Sequence, residues 1–119
     1  MRYHADERRR FWGDLFATEQ YDINAVQLHP GVVIAWHRHQ QQDDKIFLLY
    51  GELHLQAIDL EGERHHWHLR NLMEPVFIPR GWWHGYQSPQ GATLIQMNGP
   101  RKYDGSDEER MSLDVTPWA

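Results

Sequence analysis

Cysteine is absent from this 119-residue chain, which removes disulfides, thiolate nucleophiles and cysteine-ligated zinc from its chemistry. No apolar run approaches the roughly 18 residues that a membrane-crossing helix needs. Basic residues are in deficit, 12 against 17 acidic for a formal charge of −5. That balance argues against nucleic acid or an anionic membrane as partner and favours a small molecule. The opening Met1-Arg-Tyr-His-Ala-Asp6 is polar and runs into Glu7-Arg-Arg-Arg10, unlike a signal peptide, so a cytoplasmic location is expected. Sustained helical periodicity, repeats and low-complexity tracts are also lacking, and the length suits one domain, residues 1–119.

What the chain has instead is histidine and aromatics: 9 His and 13% aromatic residues, 6 of them Trp. Such side chains suit a sugar- or metal-binding cavity, and equally a dimer interface. Turn signals recur at Pro30-Gly31, Tyr50-Gly51, Glu61-Gly62, Arg80-Gly81, Pro89-Gln-Gly91 and Gly99-Pro100. Between them, Ile23–Leu28, Val32–Trp36, Ile46–Tyr50, Leu53–Leu60, Val76–Ile78 and Ala92–Met97 are of strand length and rich in β-branched or aromatic residues. Arg8–Phe16 reads as a short helix or an N-terminal strand. The segment Lys102–Arg110 reads as an acidic loop, and Trp118 as an aromatic that docks. The expected fold is all-β, an antiparallel barrel or jelly roll.

Two phrases carry chemistry. In Ala35-Trp-His37-Arg-His39 the alternation of a strand sends both imidazoles to one side, about 7 Å apart. Asp44 follows after a polar turn, and His84 follows the tight Pro79-Arg-Gly81 turn far away in sequence. Barrel closure brings such groups together, and three neutral imidazoles with a carboxylate suit a divalent transition metal such as Zn, Mn, Fe or Ni.

In order, Gly31, His37, His39, Asp44 and Gly51, then Pro79-Arg-Gly81-Trp-Trp-His84, resemble the two motifs of the cupin superfamily, whose fold is a double-stranded β-helix. Asp44 stands where glutamate is usual and reaches one methylene less far. Met73 replaces the leading glycine of the second motif and Ser88 its closing asparagine. Read whole, Gly31–His37, Gly51–Leu60, Phe77–Gln87 and Tyr103–Arg110 are similar to dTDP-4-dehydrorhamnose 3,5-epimerase and its relatives, with Ala35–His39, Gln42 and Asp44 like a short divergent branch. That resemblance implies a cofactor-free epimerase or isomerase acting on a nucleotide-linked keto sugar, with His37 as base and His84 retained beside it. The family's lysine falls on Asp44, its tyrosine acid on Gln96 and its arginine on Ile34, while Lys45 faces away. Tyr50, Tyr86 and Tyr103 are candidates for a displaced acid, and Asp114 for the family's histidine-orienting aspartate.

The expected catalytic set is therefore His37, Asp44 and His84, with Trp36, His39, Gln42, Arg80, Trp82, Tyr86 and Gln96 around the substrate. In the alternative, His37, His39, Asp44 and His84 bind a metal that polarises the substrate in other chemistry, such as that of an oxygenase or a lyase. A non-catalytic sugar-binding barrel is the third reading. Trp36, Trp82 and Trp83 flank the histidines, to stack on a ligand or to pack. Arg80 is the better candidate for a phosphate contact, and Arg8-Arg-Arg10 reads as a solvated face, with a phosphate contact as its lesser alternative. His65, His66 and His68 read as a solvated strand edge, and His54 as lying outside the barrel. Small cupins of this type resemble homodimers, which is the expected state.

Overall fold

The computed structural model describes residues 1–100 and 106–118. The chain order is β1 (Arg2–Ala5), β2 (Arg9–Ala17), β3 (Asp22–Leu28), β4 (Val33–His39), β5 (Asp43–Ile58), β6 (Arg64–Arg70), β7 (Val76–Ile78), β8 (Trp83–Gln87), β9 (Ala92–Gly99) and β10 (Glu108–Arg110). Among the described residues there is no helix, and hence none long and apolar enough to cross a membrane. Arg8–Phe16 thus resolves as a strand. All pairings are antiparallel, and they form two layers, β1-β2-β3-β9-β5-β7 and β6-β5-β8-β4-β10, curled into one jelly-roll barrel.

Strand β5 belongs to both layers. Residues 43–51 pair with β9 and β7, and residues 52–58 pair with β6 and β8. The sequence reads as two strands broken by a turn at Tyr50-Gly51, but the chain continues through this point with only a register shift between Leu48 and Tyr50. Glycine is required there because φ is +107° and an added Cβ would meet the Gly91 carbonyl oxygen at 2.7 Å and Ala92 Cα at 3.0 Å. A sharp bend with close backbone approach replaces the loop that glycine usually announces.

The barrel interior is divided along its length. On β3 the inward positions run Asp22, Asn24, Val26, Leu28, and on β9 they run Ala92, Leu94, Gln96, Asn98, all buried. Antiparallel register sets Leu28 against Ala92 and Val26 against Leu94, then Asn24 against Gln96 and Asp22 against Asn98. Like therefore meets like. One end is closed by Val26, Leu28, Ile46, Leu48, Leu53, Leu55 and Leu94, all at most 2% exposed. Each such aliphatic side chain stabilises the fold by about 1.5–3 kcal/mol through burial. The other end is polar, and Asp44, paired with Asn98, opens into it.

The tail departs from the acidic loop expected of it. Its Lys102–Gly105 part, like Tyr103 and Ala119, lies outside the described residues, but Glu108–Arg110 forms β10 on the edge of β4. The Asp107 carboxylate accepts bonds from the Gln40 and Gln41 amides at 3.0 and 2.7 Å. Further on, Trp36 Nε1 donates to the Thr116 carbonyl at 2.7 Å, and the Trp118 ring centroid lies 5.4 Å from that of Trp36. Trp118 docks as expected.

The bend at Gly51 can be separated from ordinary glycine strain by substitution. Gly51→Ala should lower stability by at least about 2 kcal/mol, strain and overlap acting together. Gly62→Ala, at φ +85° with nothing within 4 Å of its Cβ, should lower it by about 1 kcal/mol from strain alone. Urea unfolding of both variants checks the difference, and equal losses would refute the role given to Gly51.

Candidate metal centre

Three strands deliver four donors to the polar end. His37 and His39 come from the end of β4, Asp44 from the start of β5 and His84 from β8, where it is the register partner of His37. A bulge between Ile34 and His37 decides which way β4 faces. Ile34 packs in the core and His37 lines the cavity although they are three apart, because the bulge shifts the alternation by one. Trp36 consequently turns out of the barrel, where the C-terminal segment buries it to 1% exposure.

The donors converge. Asp44 Oδ2 lies 2.8 Å from His84 Nε2 and 3.7 Å from His39 Nε2. The His37 ring centroid is 4.2 Å from that of His84 and 5.9 Å from that of His39. One ligand atom from each of His37, His39, Asp44 and His84 falls within 4.8 Å of all the others. Asp44 Oδ2 and His84 Nε2, both buried, complete no directed hydrogen bond despite their proximity. Donor atoms gathered this closely are what a shared cation requires, and buried polar atoms without a directed hydrogen bond are rare. His84 Nδ1 donates to the Trp82 carbonyl at 3.1 Å, which leaves Nε2 as the free donor of the neutral ring. Gln42 Nε2 donates to Asp44 Oδ1 at 3.2 Å and orients that carboxylate from behind. Three imidazole nitrogens and one carboxylate oxygen thus fit a divalent transition ion, with the remaining positions facing the cavity.

Electrostatics differ sharply among the three rings. Burial, reinforced by His84 and His39, holds the His37 pKa well below its ordinary 6.5. Burial also lowers that of His39, against the pull of Asp44. His84 goes the other way, since the adjoining Asp44 carboxylate outweighs burial and raises it. Burial pushes the Tyr86 hydroxyl above its ordinary 10.0, so it remains a donor.

A cavity of about 40 Å³ adjoins the cluster, lined by His37, His39, Tyr86, Gln96 and Asn98 from the barrel and by Arg8, Arg9, Glu108 and Arg110 at its rim. Of the residues singled out in the sequence, His37, His39, Tyr86 and Gln96 line it, with Asp44, His84 and Gln42 behind. Trp36, Trp82 and Arg80 do not. Trp82 packs against the core and stacks on His65 at 4.9 Å, and Arg80 pairs with Asp43 at 3.2 Å outside the barrel. Tyr50 is 69% exposed and Asp114 is exposed on the tail; the carboxylate that orients a histidine is Asp44. Sequence reasoning missed Asn98 and Arg110, and gave Arg8-Arg-Arg10 a phosphate contact only as the lesser reading. Asn98 was visible as a polar residue in the inward phase of β9, whereas Arg9 and Arg110 reach the site only through the pairings of β2 and β10.

Solved structures share this architecture. A capsular polysaccharide assembling protein, CapF, of Staphylococcus aureus superimposes at TM-score 0.82 and 16% identity, over 92% of this chain and 31% of that one. A variant of oxalate decarboxylase from Bacillus subtilis superimposes at TM-score 0.82 and 15% identity, over 92% of this chain and 30% of its own. The fold is the cupin barrel. This chain spans about a third of the length of these cupins. No family model and no curated protein matches the sequence.

In the metal-free protein, NMR titration should find the His84 ring protonating above pH 6.5 and the His37 ring still neutral at that pH. Asp44→Asn should move the His84 titration downward, because the charge that raises it is gone. A His84 titration indifferent to that substitution would contradict the pairing.

Proposed function

We propose that this cupin is a metal-dependent enzyme of small-molecule metabolism, in which His37, His39, Asp44 and His84 hold a divalent transition ion and the arginine rim receives an anionic, oxygen-rich substrate. The observation that carries this reading is the convergence of four donor atoms on one point, with two of them buried and without directed bonds. When bound, the ion supplies Lewis acidity toward a substrate carbonyl or carboxylate.

The chain's own groups define what can approach. Arg9 places a buried guanidinium nitrogen, Nε, at the cavity with no hydrogen-bond partner among the described residues, and a carboxylate or phosphate oxygen would satisfy it. Tyr86, held protonated, donates to a substrate oxygen, while the Gln96 and Asn98 amides select polar substituents. The cavity admits about three waters' worth of ligand, so only a compact head group enters and any nucleotide lies outside. CapF by its name serves polysaccharide assembly and oxalate decarboxylase acts on a small dicarboxylate. Small carboxylates and keto sugars are accordingly the first substrates to try.

The metal-free epimerase reading keeps one support, Tyr86 with its ring 6.0 Å from that of His37, which gives an acid and a base on one cavity. It is the weaker reading. His37 has a lowered pKa, and the carboxylate that would strengthen a base sits on His84 instead.

Protein purified without an affinity tag should contain close to one equivalent of transition metal at this site, and Asp44→Ala or His39→Ala should weaken its binding by at least about tenfold. Turnover of a panel of small carboxylates should stop with a chelator and return with metal. Chelator-insensitive deuterium exchange into a keto sugar, abolished in His37→Asn, would instead establish the epimerase.

A further inference from the structure

The outer side of the barrel carries a second group of donors on the same strand that supplies Asp44. On β5, Glu52 and His54 alternate with the fully buried Leu53 and Leu55 and so face outward. Among the described residues strand β6 pairs only with β5, with Arg70 opposite Glu52, His68 opposite His54 and His66 opposite Gln56. The ladder therefore gathers three imidazoles and a carboxylate on one face, where cross-strand neighbours stand about 5 Å apart.

Their geometry is ordered. The His54 ring stacks on His68 at 4.3 Å and 12°, and on His66 at 5.4 Å and 22°. His68 Nε2 lies 3.1 Å from Glu52 Oε2, and His54 Nε2 lies 4.0 Å from Glu52 Oε1. One ligand atom each from Glu52, His54 and His68 lies within 4.8 Å of the other two. His54 Nδ1 is 3.2 Å from His66 Nε2, and in the tautomer that puts the proton of His54 on Nδ1 this contact leaves Nε2 free on the side of Glu52. Stacked imidazoles repel one another when charged. Partial burial, then His68 and His66, lower the His54 pKa against the opposing pull of Glu52, which favours the neutral, ligating form of that ring.

A solvated polar edge explains neither the stacking nor the shared focus of the three donors. We infer that Glu52, His54 and His68 form a second transition-metal site, with His66 positioning the His54 ring, and that the ion pins edge strand β6 to β5. Two imidazole nitrogens and a carboxylate on a rigid ladder suit a borderline divalent cation, Zn²⁺, Ni²⁺ or Cu²⁺, with water completing its coordination. The three side chains are 28–39% exposed, so the ion enters from solvent without opening the barrel. The site is independent of the interior cluster, which lies on the other face of β5.

The test is zinc titration of the tag-free full chain against a chromophoric chelator, repeated with Co²⁺ to read the ligand field. Wild type should show two classes of binding. His54→Gln/His68→Gln should abolish one class while keeping a wild-type circular dichroism spectrum, and His68→Gln alone should weaken it by at least about tenfold. His37→Ala/His39→Ala should keep that class, and zinc should still raise its melting temperature. A single class lost in the outer variant would uphold this site and reject the interior one. A folded outer variant that binds zinc with wild-type stoichiometry and affinity would overturn the inference, whether or not the interior variant folds.

Discussion

The structure depends on β5 crossing from one layer to the other without a break. Because residues 43–51 pair in one sheet and residues 52–58 in the other, the two layers share a backbone rather than only a core. The crossing point tolerates no side chain, and its hydrogen bonds continue on both sides of Gly51. Asp44 is presented inward from the first half of the strand, and Glu52 and His54 outward from the second. The same covalent run thus fixes the layer geometry and aims two donor sets in opposite directions.

Inside the barrel, charge and burial are set against each other. Asp44 is 1% exposed and His84 2%, so neither has water to solvate it. An ionised carboxylate at such a depth needs compensation, and losing one member of a buried pair typically costs about 3–5 kcal/mol. His84 supplies part of it in the absence of a cation. His37 and His39, whose protonation burial disfavours, remain neutral donors. The apolar half of the barrel carries the stability, which lets the polar half hold groups that work against it.

How much of this was legible in the sequence varies with the range of the interaction. The jelly roll followed from short β-branched runs between turn residues, and the interior donor set from His37-x-His39, Asp44 and His84 taken in order, because strand alternation and motif spacing are local. Trp36 stayed open between stacking on a ligand and packing because a bulge, which no composition signals, shifts the phase of β4 after Ile34. Gly51 was read as a turn because a glycine after a tyrosine looks the same in a loop and in a bent strand. Arg9, Glu108 and Arg110 carry no local mark, since their placement comes from β2 and β10 pairing across the barrel. The outer face was equally hidden: His66 and His68 look like solvated alternation until His54 is found opposite His68.

One further consequence comes from β10. It is three residues long, it pairs with β4 alone among the described residues, and it contributes Glu108 and Arg110 to the rim of the cavity. A short edge strand can detach at far lower free energy than the barrel can unfold. Detachment would widen the entrance and take the paired Glu108 and Arg110 away from it together, while Asp44 and the three imidazoles stayed held by the longer ladders. Opening at this edge would in this way be separate from the integrity of the donor set, which β4, β5 and β8 hold.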